Sequence, residues 1–276
     1  MNRAKRLHIL GNIEGLGLNL ALKAIHSGMA ISVPADSCAH LMEHHGLEIE
    51  HLASDIYEFQ SSDLDKIDVV VFITNDIEVA KGELSTLNPP CTSIMLTYSE
   101  YHTGDYLAEP SSLIVIHDMI PSTQSTYYDS NILEEMMSAI IEGEDLNSNM
   151  LEELRWWVSE GDVVAGMCRL LLHPGLLPPV IHLCGRREWS LGDTYQQLRL
   201  LYSRTVAGSS GDFELQHLRP NSVISQGVIP VSQVRESSRP DLSALHGALL
   251  DSDGEGWRPL TPLRTSLMQY LASRLD

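Results

Sequence analysis

The stretch Leu7-His8-Ile9-Leu10-Gly11-Asn12-Ile13-Glu14-Gly15-Leu16-Gly17-Leu18-Asn19-Leu20-Ala21-Leu22-Lys23-Ala24-Ile25 decides the fold. It opens on an apolar run, breaks into a glycine-bearing turn at Gly11–Gly17 and continues in a helical pattern, so it reads as strand, turn and helix. A helix that starts at such a turn presents unpaired backbone N–H groups and the positive end of its dipole, and glycines let a pyrophosphate come close to them. A second apolar run, Met29-Ala30-Ile31-Ser32-Val33, follows. Asp36 then stands nineteen residues after Gly17, about where a carboxylate meets an adenosine ribose. The order predicts a dinucleotide-binding βαβ unit framed by Gly11, Gly15, Leu16 and Gly17.

The glycine spacing qualifies that expectation. G-x-x-x-G-x-G fits Gly11, Gly15 and Gly17, whereas G-x-x-G-x-x-G places Glu14 at its middle position. A carboxylate beside a pyrophosphate is repulsive. Binding survives if Glu14 points away; if it points inward, it costs affinity or marks a pocket that has lost its nucleotide. The bland alternative is a tight turn in an α/β domain. Asp36 has an alternative role too, in a turn or cap. No arginine or lysine lies near it to receive a 2′-phosphate, which favours NAD over NADP.

Composition narrows the classes of partner. The chain has 276 residues, 43% of them hydrophobic, enough for a substantial core. Its 18 basic and 37 acidic residues give a net charge of −19, which opposes binding to nucleic acid or an anionic membrane. No apolar stretch approaches the roughly 20 residues of a membrane span, and Met1–Arg6 leads straight into a strand, so a cytoplasmic location is expected. Cys38, Cys91, Cys168 and Cys184 lie far apart with no C-x-x-C pair, and His40 and His44 have no third ligand at zinc spacing, so no metal is expected.

Further along, Cys38–His45 suggests a helix and Leu47–Leu52 alternates like a half-exposed strand, with Asp55 in the turn that follows. Asp68–Thr74 is a buried strand of the parallel-sheet kind, and Asn75 at its carboxyl end is placed to line a cofactor crevice or simply to belong to a polar loop. Ser93–Thr97 and Ser112–Ile116 are two more strands. Trp156 and Trp157 read as packing residues and Asp162 as the cap of a helix over Val163–Leu172. Arg186, Arg187 and Arg204 form a basic group able to receive a diphosphate or to pair with neighbouring acids.

Between those two strands, Tyr98–Glu109 resembles the Y-x-x-x-K helix of the extended short-chain dehydrogenase/reductases, with Tyr101 at the tyrosine and Asp105 where the lysine stands. Arg155–Val164 resembles that family's R-D-F-V-x-V-x-D-V-A segment, Val180–Gly185 its later strand and glycine, and Gly256–Leu263 its closing L-G-W-x-P-x-T-P-L. The resemblance spans nearly the whole chain. It implies a Rossmann-type α/β fold: a doubly wound parallel sheet with a smaller interleaved C-terminal lobe. Residues 1–120 and 151–190 would form the dinucleotide-binding domain, and 121–150 and 191–276 the substrate lobe.

The resemblance also implies an NAD-dependent epimerase, dehydratase or reductase acting on a nucleotide-sugar or related small molecule. In the family the tyrosine is the acid or base and the lysine lowers its pKa; Asp105 would do the reverse. Tyr101 is therefore either a residual acid/base or an ordinary helix aromatic. Ser99 and Thr97 are the nearest hydroxyls for the family's serine. The cofactor set expected is Gly11, Gly15, Leu16, Gly17, Asp36, Asp55 and Asn75. The alternative is a catalytically silent member serving as a cofactor sensor or as the partner of another enzyme. A homodimer through paired helices fits either reading.

Overall fold

The computed structural model describes residues 5–52, 55–98, 112–122, 131–173, 175–214, 217 and 239–275. β1 (Arg6–Gly11), α1 (Leu16–His26) and β2 (Ala30–Val33) form the expected opening unit. α2 (Ala35–His51), β3 (Ile56–Glu58), β4 (Val69–Ile73), α3 (Ile77–Leu87), β5 (Thr92–Tyr98) and β6 (Ser112–Ile116) follow. Next come β7 (Met119–Ile120), α4 (Asn131–Glu142), α5 (Ser148–Leu151), β8 (Leu154–Arg155), β9 (Val158–Ser159), α6 (Glu160–Leu171) and β10 (Val180–Leu183). β11 (Trp189–Ser190), α7 (Leu191–Ser210), α8 (Ser243–Asp253) and α9 (Leu263–Leu275) lie beyond.

Seven strands make one parallel sheet in the order β10-β6-β5-β4-β1-β2-β3. The chain winds outward from β1 in both directions, so the strand order reverses between β1 and β4, and a crevice opens at their carboxyl ends. The central strands carry the continuous β-branched and apolar runs that burial on both faces demands; every residue of β4 and β6 is buried.

Alternate residues of each strand serve opposite faces. Leu7, Ile9, Val71 and Ile114 pack with α1 and α6 into the larger core, while Leu10, Val70, Phe72 and Val115 pack with α3. A separate cluster gathers Met136, Leu198, Leu267 and Tyr270 from α4, α7 and α9. Trp156 and Trp157, both buried as expected, face different cores: the first joins the sheet's core and the second the helical cluster. The 191–276 stretch feeds both cores as well. Leu245 and Leu249 of α8 pack with the sheet, and the Trp257 indole N–H donates to the Cys184 carbonyl at 2.8 Å.

One buried polar line crosses the sheet. His8 Nδ1 lies 2.6 Å from the Ser32 hydroxyl and Nε2 lies 3.2 Å from Asp68. Asp68 also accepts the backbone N–H groups of Arg6 and Asp65. Serine, histidine and aspartate in a row suggest hydrolysis, but His8, Ser32 and Asp68 are at most 1% exposed, which leaves no room for a substrate. The line ties β1, β2 and the start of β4 together.

Two expectations fail. Leu47–Leu52 is no strand: α2 runs through it to His51, and Leu47 is 86% exposed. The alternation of Leu47, Glu48, Ile49 and Glu50 is short, and Ile49 instead shares a helix face with Leu41 eight residues earlier. Asp162 does not cap α6 either. Ser159 is the N-cap and accepts the Asp162 N–H, while the Asp162 carboxylate accepts the backbone N–H groups of Leu260 and Thr261, both at 3.0 Å.

Candidate cofactor crevice

The glycine turn leaves β1 at the carboxyl edge of the sheet. Gly11 has φ +77°, and a Cβ there would collide with the Ile73 carbonyl oxygen, so only glycine lets the chain turn beside β4. The Asn12 N–H donates to that same carbonyl at 2.9 Å, and the Asn12 side chain accepts the Glu14 N–H at 3.1 Å. A Cβ on Gly17 would press on the Asn12 carbonyl oxygen at 2.9 Å, so this glycine brings α1 down onto the turn.

The start of α1, like those of α2 and α8, has no side-chain cap, and it alone of the three follows a glycine turn at the end of β1. Gly15 is the N-cap and offers no side-chain acceptor, and the first turn holds no acid. By contrast Asp76 caps α3, Ser159 caps α6 and Ser190 caps α7. The leading N–H groups of α1, at Leu16 and Gly17, are therefore left for something outside the helix, and an anion suits them. Glu14 is exposed to solvent.

Asn75 sits beside this turn. It follows β4, whose Ile73 is in register with Gly11, and it is half-buried between Thr74 and the helix-capping Asp76. Asp36 stands exposed in the first turn of α2, at the same edge of the sheet, one strand over. Asp55 is a correction to the expected set. It precedes β3, and its carbonyl accepts the Ile31 N–H near the start of β2, so a parallel sheet puts it at the edge opposite the glycine turn.

Thr97 lies on β5, 1% exposed, with its hydroxyl 3.4 Å from the Tyr98 carbonyl. Ser99, Tyr101 and Asp105 lie outside the described residues. At the end of β5, burial and then the negative charge of Glu160 push the Tyr98 phenol far above its ordinary pKa.

Glu160 is a residue that sequence reasoning missed. It is 1% exposed, and its carboxylate accepts the Asn19 side-chain amide at 2.7 Å and both the N–H and hydroxyl of Ser122 at 2.6 and 2.9 Å. The signal available was an acid at the first position of a helix, separated only by Ser159 from the apolar run Trp156-Trp157-Val158, which ordinarily reads as a first-turn charge.

The sheet order and the glycine turn define a Rossmann-like α/β fold, and solved structures of NAD-binding enzymes match it across the whole chain. Among solved structures, the Bordetella bronchiseptica enzyme WbmF in complex with NAD+ and UDP is 11% identical with TM-score 0.54, over 98% of this chain and 91% of that one. The terminal R domain of the myxalamid biosynthetic pathway is 10% identical with TM-score 0.61, over 99% and 91%. UDP-glucuronic acid 4-epimerase from Bacillus cereus is 11% identical with TM-score 0.55, over 97% and 98%. At such identities the likeness establishes the fold. No protein-family model and no curated protein sequence matches the chain.

Proposed function

We propose that this protein binds NAD in the crevice above Gly11–Gly17 and acts on a nucleotide-sugar or related small metabolite, as an epimerase, dehydratase or reductase of the extended short-chain type. The observation that carries this reading is the start of α1: a glycine turn, no side-chain cap and no first-turn acid, with Asn75 alongside. Gly15, Leu16 and Gly17 would hold the pyrophosphate through backbone N–H groups, and Asp36 the adenosine ribose. Exposure of Glu14 is compatible with a bound diphosphate.

NAD, when bound, would take and return a hydride. Tyr101 would hold or release the substrate proton, with Thr97 or Ser99 as its hydroxyl partner. The sheet-bearing residues 1–120 and 151–190 would serve the cofactor, and 121–150 with 191–276 the substrate. Solved structures of this fold that carry NAD+ with UDP, or NAD with a UDP-sugar derivative, support the choice of ligands. Among the described residues no helix is long and apolar enough to cross a membrane, and we place the protein in the cytoplasm.

Asp105 in place of lysine favours a second reading: a silent member that keeps the cofactor and regulates a partner enzyme or its own homodimer. Calorimetry with NAD and NADH on nucleotide-free protein, with Asp36→Ala as control, tests the cofactor assignment. Saturable binding weakened about tenfold by the substitution is expected; no binding of either form at about 1 mM overturns it. A screen of nucleotide-sugars for turnover, with Tyr101→Phe alongside, then separates enzyme from silent relative.

A further inference from the structure

A second feature lies at the far end of the sheet. The Gly185 N–H donates to the Trp156 carbonyl at 2.8 Å, and a Cβ on Gly185 would collide with the Trp157 carbonyl oxygen, so the chain leaving β10 is held against that backbone. It delivers Arg186 and Arg187 to a cavity of about 330 Å³ that Arg264 of α9 also lines, with Trp157, Val158 and Leu263 as apolar wall.

Three arginines line it in a chain whose acids outnumber its bases 37 to 18. Arg6, Arg155, Arg169, Arg199 and Arg274 each face a carboxylate, but among the described residues Arg186, Arg187 and Arg264 form no ion pair. The acid in the cavity wall, Asp162, is already engaged by the N–H groups of Leu260 and Thr261 and by the Ser159 hydroxyl. Arg187 stands over the Trp189 indole with its guanidinium carbon 4.1 Å from the ring centroid, which orients its head group before any ligand arrives.

We infer that this cavity is a separate binding site for a compact phosphate-bearing ligand. Guanidinium forks match phosphate oxygens in pairs, and three arginines against the single carboxylate of Asp162 leave the wall with an excess of positive charge that suits a dianion better than a carboxylate. The volume sits at the small end of the range of about 300–1,000 Å³ for small-molecule pockets, and the apolar wall accommodates an organic remainder. β10 is four strand spacings from β1, roughly 19 Å, which sets this site apart from the glycine turn. Arg204 takes no part: its Nε donates to the His217 carbonyl at 2.7 Å.

Calorimetric titration with inorganic pyrophosphate and, separately, uridine monophosphate tests the assignment. One-to-one binding with Kd below about 1 mM is expected. It should weaken at least about tenfold in Arg187→Gln/Arg264→Gln and fall as salt rises from roughly 50 to 500 mM. The NADH affinity of the variant should stay at the wild-type value. Tighter binding of the nucleotide assigns the site to an esterified phosphate, and tighter binding of pyrophosphate to an inorganic one. Absence of saturation by either probe at about 10 mM overturns the site. So does undiminished binding by the variant, or a parallel loss of NADH binding, which would make the arginines part of the cofactor crevice. Circular dichroism of the double variant, with the single Arg186→Gln in reserve, guards against misfolding.

Discussion

Glu160 and Asn19 stand 141 positions apart in sequence, yet the buried carboxylate of the first accepts the side-chain amide of the second at 2.7 Å. The bond fastens α6 to the helix that begins at the glycine turn, and the carboxylate's other oxygen holds Ser122. Glu160→Ala removes both acceptor oxygens, leaving the Asn19 amide and the Ser122 N–H and hydroxyl without their partner. The expected loss is about 1–3 kcal/mol, read as a lower urea midpoint at unchanged slope. An unchanged midpoint would dismiss the latch.

Gly11→Ala should be more severe. The new methyl meets the Ile73 carbonyl oxygen, and φ +77° is itself unfavourable for alanine. A destabilisation of at least about 2 kcal/mol is expected by thermal or denaturant unfolding. Gly28→Ala is the control: it shares a positive φ of 76° but has open space around the new methyl, so its loss should stay near about 1 kcal/mol.

Acid sensitivity should trace to His117. Burial, and then the facing His182 ring whose Nδ1 lies 2.9 Å away, lower its pKa from 6.5 to about 4. The unfolded chain therefore binds a proton that the folded chain refuses between those values. Stability from this group is present above pH 6.5 and is lost as pH falls toward 4, on the order of 2–3 kcal/mol in all. Burial lowers His182 as well, in the same direction. His117→Asn should flatten the unfolding midpoint across that window, and an equally steep profile in the variant would rule His117 out as its source.

Asp162→Asn tests the clamp on the 260–261 backbone. Asparagine can replace only one of the two carboxylate oxygens, so either the Leu260 or the Thr261 N–H loses its acceptor. A loss of about 1–2 kcal/mol is expected, with faster hydrogen exchange confined to those amides and the start of α9. Exchange that rises evenly over the whole chain would argue against a local clamp.

The sheet was legible because its strands are unmistakable: Val69–Ile73 and Ser112–Ile116 are buried end to end, and the helix between Gly15 and Ser27 has a clear apolar face. Gly11, Gly17 and Asn75 followed from the same pattern, since each is fixed by its distance from a strand end. Leu47–Leu52 misled because a few residues of alternation fit a strand and a helix edge alike. Asp55 misled because its sequence position does not say which end of β3 it occupies. Glu160 and Asp162 stayed hidden for a different reason: their partners, Asn19, Ser122 and the 260–261 backbone, are set by tertiary packing that no local spacing announces.

Trp257 closes a core that begins at Leu7 and Ile9. The residues that cover α6 and β10 are thus made long after the strands they protect, and the Cys184 carbonyl waits for an indole more than seventy positions downstream. During synthesis the half-made protein must carry an uncovered apolar face for the time it takes to add that length of chain. Its yield in a cell should therefore depend on chaperone supply and growth temperature more than its finished stability would suggest.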